Sequence, residues 1–281
     1  MQQLVDHLDR GARVVVLRLR SMGDCVLTTP ALSLLHQHRP DLRIGVVVED
    51  RFREIYDGLP FVHDILQPTA REVRGYGAQL CINLHGGTRS AILTAASGAR
   101  FRAGFGHYRQ QFVYNIRMPR AQQILPGGER TVHTAEHVAS AMFYLGVPQQ
   151  AIPRAILHAS TQPETGGEYA VVHPFASAAL KTWAVENFLQ AMSKMEQRPV
   201  VIAGPGDDVA PFAAKYRTYQ NQPLSVIKGL IRHASYFLGN DSGPAHIAAA
   251  FDIPMTVVFG PTDPAIWGPW RASNAKVVTQ Q

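Results

Sequence analysis

"RVVVLRLRSMGDCVLTTPAL", residues 13–32, decides the fold. It opens on an apolar, β-branched run of strand length and continues as a helix over 25–38, so it reads as a buried strand feeding a helix through a short loop. The loop is unusual, because Gly23 and Asp24 stand where a serine or threonine cap would be ordinary. Gly23 would let the backbone turn sharply, and Asp24 would then project a carboxylate from the strand end. The plainer reading of Asp24 is an N-cap, and both readings can hold together.

Outward from this unit, short β-branched runs alternate with helix-length segments, which is βαβ repetition around parallel sheets. Strands are expected at 13–19, 43–48, 62–66 and 79–84, with weaker ones near 100–104 and 112–116. Helices fit at 25–38, 51–57, 88–97 and 133–145, the last stopped by Gly146 and Pro148. After a proline- and glycine-rich connection the pattern resumes, with strands at 168–173, 199–203, 235–239 and 255–259. Helices are expected there at 185–195, 207–218, 224–233 and 243–251. The fold class is α/β, with two Rossmann-like domains over 1–150 and 168–281 and a linker over 151–167. In such sheets ligands bind beyond the carboxyl ends of the strands.

A chain of 281 residues, 46% hydrophobic and 17% charged, can bury two medium cores. No run of about 18 uncharged apolar residues occurs, and charges interrupt the N-terminus where a signal peptide needs its apolar centre. A cytoplasmic protein is expected. Cys25 and Cys81 lack CxxC spacing, so they suggest small core residues and neither a disulfide framework nor a metal site. The 27 Lys and Arg against 21 Asp and Glu give a net charge of +6, which favours anionic partners. The clearest basic clusters are "RVVVLRLR" and "GARFRAGFGHYR" (98–109). Nucleic acid is not expected, because neither a groove helix nor an RNP-like aromatic strand is present.

Chemistry should lie in the strand-end loops. In "FLGNDSGPAHIAAAFDIP" (237–254) a strand ends before Asn240-Asp241-Ser242-Gly243, and Pro244 suits the first turn of the next helix. The small residues Ala245, Ala248, Ala249 and Ala250 let that helix approach the sheet, and its N-terminus suits a diphosphate. Capping by Asp241 or Ser242 is the plainer reading, and His246 reads as a packed histidine. "VVFGPTDPAIWGPW" (257–270) adds a second wall through Gly260 and Thr262. In "HPFASAALKTWAVENF" (173–188) a loop with Ser177 and Lys181 precedes a helix. Lys181 would offset charge on a leaving phosphate, whereas an isolated lysine is ordinarily solvated. "VVIAGPGDD" (200–208) lacks full GxGxxG spacing and reads as a strand-end turn with Asp207 and Asp208 as caps. No complete dinucleotide fingerprint occurs, which disfavours a nicotinamide dehydrogenase.

Five segments taken in order, "RLRSMGDCVLTTPAL", "INLHGGTRSAIL" (82–93), "VVHPFASAALKTWAVENF", "GNDSGPAHIAAA" and "VVFGPTDP", resemble glycosyltransferase family 9, the ADP-heptose:lipopolysaccharide heptosyltransferases. The resemblance implies GT-B architecture, with an N-terminal acceptor domain and a C-terminal nucleotide-sugar domain whose parallel sheets face an interdomain cleft. It implies inverting, metal-independent transfer of heptose from ADP-heptose to a lipopolysaccharide inner-core acceptor, with no cofactor. Asp24 then matches the general base and Lys181 the lysine beside the donor phosphates. Asp241, Ser242, Gly243, Pro244 and His246 fall on the donor motif, with Ser177 and Thr262 beside it. Gly23, His85, Gly86 and Arg89 would form the acceptor wall, and Arg51 and Arg53 would meet phosphates on the lipid acceptor. For each arginine the ordinary reading is a solvated surface charge. Peripheral contact with the inner membrane would come from basic and apolar surface on the first domain. The alternatives are another nucleotide-sugar or acceptor, or a nucleotide-sugar-binding protein without transfer. The family pattern also leads to an expectation of further C-terminal helix after "AKVVTQQ".

Overall fold

The computed structural model describes residues 3–162 and 165–280; residues 163 and 164 of the expected linker lie outside them. The chain divides into two compact units, Met1–Ala155 and Ile156–Gln281. In the first, β1 (Arg13–Leu17), α1 (Met22–His38), β2 (Arg43–Val47), β3 (Asp64–Leu66), α2 (Ala70–Gly75) and β4 (Leu80–Asn83) follow one another. They continue with α3 (Thr88–Ala96), β5 (Phe101–Phe105), β6 (Ile116–Met118), α4 (Ala121–Ile124) and α5 (Thr134–Leu145). All strands pair in parallel in the order β3-β2-β1-β4-β5-β6. Helices cover both faces of such a sheet, so its central strands are apolar throughout and do not alternate. Val14, Val15, Val16 and Leu17 are accordingly all fully buried.

The second unit repeats the plan. β7 (Tyr169–His173), α6 (Val185–Met192), β8 (Arg198–Ala203), α7 (Ala210–Ala213), β9 (Arg217–Gln220) and α8 (Leu224–Arg232) lead to β10 (Tyr236–Asn240). Then come α9 (Gly243–Ala250), β11 (Met255–Phe259), α10 (Pro264–Trp267) and β12 (Ala275–Thr279). The parallel order is β12-β11-β10-β7-β8-β9. Counted from its own first strand, this is the same 3-2-1-4-5-6 order as the first unit, the doubly wound arrangement of dinucleotide-binding sheets.

The α1 helix shows how sequence and burial are reconciled locally. Pro30 lies inside it and has no N–H for the Val26 carbonyl four residues back. The Thr29 hydroxyl donates to that carbonyl at 2.8 Å, so the buried oxygen keeps a partner. Twelve of the seventeen residues of α1 are buried, as a helix lying between the sheet and α5 requires.

Several expectations need correction. The helix expected at 207–218 is only the short α7, and the segment continues as the edge strand β9 paired with β8. Thr218 and Tyr219 favour a pleated edge once β8 is there to pair with them. The weak strand near 112–116 begins only at Ile116, after a 3-10 turn over Gln111–Val113. The helix expected at 51–57 is a 3-10 turn, Asp50–Ile55. "AKVVT", where no strand was expected, forms β12, paired in register with β11.

Leu17, with no exposed surface, sits at the centre of the first core. Leu17→Ala should lower stability by about 2–5 kcal/mol, read as a shift of the urea unfolding midpoint.

Candidate functional site

In the first unit strand order reverses between β1 and β4, and the loops leaving these two strands carry Asp24 and His85. The α1 helix starts at Met22, three residues before the expected start. Ser21 is its N-cap residue, and Asp24 is the third helical position of a capping box, not the cap itself. Asp24 Oδ2 accepts from the Ser21 N–H at 3.3 Å and from the Ser21 hydroxyl at 3.0 Å. Gly23 therefore lies inside the helix and is buried; the sharp turn expected of it is completed before it, at Ser21. The Arg18 guanidinium pairs with Asp24 Oδ1 and also donates to the Leu84 carbonyl. One buried side chain thus ties the ends of β1 and β4 to the first turn of α1. The Asp24 side chain remains 22% exposed.

The loop after β4 is organised by Asn83, which has no exposed surface. Its Oδ1 accepts from the His85 and Gly86 amides, both at 3.0 Å. Its Nδ2 lies 3.1 Å from the Ser90 and Thr94 hydroxyls and 3.0 Å from that of Tyr114. Gly86 has φ +77, and a Cβ there would come within 2.6 Å of the Tyr108 ring, so only glycine fits. Burial, and after it the Arg18 guanidinium, lowers the His85 pKa. Tyr108, pushed up to about 12 by burial, lies in the field of both Arg18 and Asp24. His137 stacks on Phe105 with centroids 4.2 Å apart, and burial lowers its pKa to about 4.

Glu49 gathers two of the expected arginines. Its Oε2 meets Arg51 at 2.8 Å, and its Oε1 meets Arg89 at 3.4 Å. Arg89 also donates to the Pro68 carbonyl at 3.2 Å. Arg53 is exposed on the neighbouring 3-10 turn and, among the described residues, has no side-chain bond to this group.

In the second unit the order reverses between β7 and β10. Three loops converge on Asp241, whose side chain is 8% exposed. Thr262, from the loop after β11, donates to its Oδ2 at 2.7 Å, and Lys181 Nζ, from the loop after β7, stands 3.6 Å from the same oxygen. Two contacts hold the Lys181 loop. Asn240 Oδ1 accepts the Trp183 N–H at 3.0 Å, and a Cβ on Gly260 would come within 2.5 Å of the Leu180 carbonyl.

Ser242 is the N-cap residue of α9 but makes no side-chain bond to the helix. Its hydroxyl lies 3.0 Å from His173 Nδ1 instead. Burial lowers the His173 pKa to about 4, so the ring is neutral near neutrality. The first turn of α9, with Gly243 and the buried Pro244, therefore presents its positive end beside Lys181, Asp241 and Thr262, an arrangement that attracts anions. His246 is buried one turn along. Ser177 is exposed in the β7 loop, with no side-chain bond to the Asp241 group among the described residues. Asp208 accepts from the Ala210 amide at 3.1 Å as expected of a cap, whereas Asp207 turns back to the Gly204 amide at 2.7 Å.

Sequence reading passed over Arg18, Glu49, Asn83, Tyr108, His137, His173 and Asn240 as site residues. A charged or amide side chain at the end of an otherwise apolar strand was the available signal for Arg18, Asn83 and Asn240.

Asn83→Ala should destabilise the protein by about 1–3 kcal/mol in urea titration, because it leaves two amides and three hydroxyls without their shared partner. His137 and His173 stay neutral in the folded protein down to about pH 4, whereas the unfolded chain protonates them near 6.5. The unfolded state binds more protons in that window, so stability should be full above pH 6.5 and fall as pH drops towards 4. In thermal melts across that range, His137→Phe should flatten the slope.

The residues 68–281 match the family model described as glycosyltransferase family 9 (heptosyltransferase). Lipopolysaccharide heptosyltransferase 3 of Escherichia coli (strain K12) is 26% identical over 288 residues, covering 90% of this chain and 83% of that protein. The solved family 9 glycosyl transferase from Veillonella parvula DSM 2008 shares the fold with a TM-score of 0.82 at 20% identity, covering 96% of this chain and 86% of the other. The E. coli heptosyltransferase WaaC with ADP has a TM-score of 0.76 at 21% identity, covering 96% and 93% of the two chains. With the family model spanning well over half of its length, this chain belongs to glycosyltransferase family 9 and is a glycosyltransferase.

Proposed function

We propose that this glycosyltransferase moves a heptose from ADP-heptose to a lipopolysaccharide inner-core acceptor by direct, inverting displacement without a metal. The observation that carries this reading is the Lys181–Asp241–Thr262 group at the N-terminus of α9, with Asp24 at the corresponding strand ends of the other unit. Relatives matched along most of this chain are named lipopolysaccharide heptosyltransferases, and one solved relative holds ADP.

In the proposed reaction an acceptor hydroxyl oxygen bonds to the anomeric carbon as the bond from that carbon to the diphosphate oxygen breaks. The hydroxyl proton passes to Asp24 and ADP leaves as an anion. Inversion requires base and leaving group on opposite faces of the sugar; Asp24 is the carboxylate proposed for the first role and the Lys181 group the phosphate site proposed for the second. Asp24 Oδ2, now held by the Ser21 hydroxyl, is the oxygen that takes the proton when the acceptor hydroxyl replaces that serine. Arg18 keeps Oδ1 in place. Lys181 and the Gly243 N–H at the start of α9 stabilise the charge that builds on the diphosphate, with Ser242, Pro244 and His246 shaping that pocket. Ser177 lies on the same donor side. His85, Gly86 and Gly23 line the acceptor side, and Arg51, Arg53 and Arg89 bind its phosphates.

Asp24→Asn should lower kcat by about 10²–10⁴-fold while calorimetric affinity for ADP-heptose stays nearly unchanged. Lys181→Ala should lower kcat/KM by about 10²–10³-fold. Transfer should persist in EDTA. Full turnover by the Asp24 variant would remove the base, and tighter titration by UDP or GDP than by ADP would assign a different donor.

A further inference from the structure

We propose that Asn240 is a positioning residue for the transfer step: its side-chain amide sets the place of the Lys181 ammonium by holding the backbone two residues further along that loop. This rests on the reading that Lys181 stabilises the leaving diphosphate, and it adds what keeps that lysine at the site.

Asn240 ends β10, a central strand paired with β7 on one side and β11 on the other. In a sheet covered on both faces such a position suits an apolar side chain, yet an amide with no exposed surface stands there. Its Oδ1 accepts the Trp183 N–H at 3.0 Å. That N–H can only donate, so it fixes which way the amide is turned. The other end, Nδ2, is also buried and has no hydrogen-bond partner among the described residues. A buried donor left unpaired costs stability, a penalty that an aliphatic side chain of similar size would not carry. The one side-chain bond gained in return goes to the Lys181 loop.

That loop has little else to hold it. Every residue from Ser177 to Leu180 is exposed, Leu180 by 82%, so burial does not fix its course. The Lys181 and Thr182 amides donate back to the Ala178 and Ala179 carbonyls at 3.0 and 2.9 Å, which closes a turn without tying it to the sheet. Gly260 sets a steric limit at the Leu180 carbonyl but makes no bond to it. Anchoring falls to Trp183. Its ring packs edge-on against Phe188 with centroids 5.1 Å apart, and its N–H, which orients the backbone, is held by Asn240.

Asp241, the next residue, acts on the same lysine from the other end, with Oδ2 3.6 Å from Nζ. Neighbours on one strand end therefore hold Lys181 at its backbone and at its ammonium. A carboxylate attracts the ammonium over a range of positions, whereas the Asn240 bond is directional. Placement of that kind matters to rate, since a shift of about 1 Å in a catalytic group can cost on the order of 10²-fold.

The test is a double-mutant cycle on transfer from ADP-heptose by the full chain. Asn240→Leu removes the acceptor and the unpaired donor together, and Asn240→Ala repeats the cycle with a side chain that fits any packing. With Lys181 present, either substitution should lower kcat by about 10–100-fold and change the donor KM by less than about threefold. With Lys181→Ala already in place the same substitution should cost less than about twofold, because the group being positioned is gone. The Trp183 amide should exchange with deuterium at least about tenfold faster in the Asn240 variants, while the thermal midpoint of Asn240→Leu stays near that of the parent. Equal losses of kcat with and without Lys181 would make Asn240 merely structural and overturn the proposal. Undiminished kcat, or unchanged exchange at Trp183, would overturn it as well. If Lys181→Ala by itself leaves turnover intact, the role given to Lys181 fails and the transfer role of Asn240 with it, while the Trp183 exchange rate separately decides whether Asn240 holds the loop.

Discussion

A parallel sheet covered by helices on both faces has only its strand ends free for chemistry, and everything functional in this chain depends on that constraint. Where strand order reverses, adjacent connections leave towards opposite faces and a crevice opens at the carboxyl edge. Both units meet the condition in the same order, at β1 and β4 and again at β7 and β10. Asp24 and His85 leave the first pair of strands; Lys181 and Asp241 leave the second. One backbone plan, used twice, thus exposes a carboxylate in one unit and a cation with a helix N-terminus in the other.

Buried polar side chains make these loops rigid. Arg18, Asn83 and Asn240 each stand at the end of a central strand, almost wholly out of water, and each bonds backbone groups of a neighbouring loop. A buried polar group without a partner is costly, so the loops are held where those partners lie. The α9 helix shows the opposite choice. A serine cap ordinarily stabilises a helix by about 1 kcal/mol, yet Ser242 turns its hydroxyl to the neutral His173 ring. That stabilisation is forgone; since Pro244 has no N–H and the Ala245 N–H donates to the Ser242 carbonyl at 3.1 Å, the Gly243 N–H is the first-turn amide that can meet an anion.

Electrostatics divides the first unit as well. Arginines near its interior are matched to carboxylates or carbonyls, as in Arg18 with Asp24 and Arg39 with Asp41. The acid-free stretch from 73 to 128 leaves others exposed, Arg109 among them in the loop that leaves the carboxyl end of β5. Charge of one sign beside a site raises the local concentration of oppositely charged ligands, an effect that salt screens.

The sequence by itself determined the repeating strand and helix pattern, the two-sheet α/β class, the ordered motifs and the burial of Cys25 and Cys81, because hydrophobic periodicity and strand-end glycines are local properties. The family resemblance also put Lys181, Asp241 and Thr262 in one expected donor group, and the structure brings their side chains together. Only the tertiary structure decided that Ser21 caps α1 with Asp24 inside the first turn, that β9 and β12 are strands, and that Arg18 reaches the Leu84 carbonyl 66 residues away. Edge strands and buried polar pairs draw their stability from partners distant in the chain, and no local pattern of residue types names those partners.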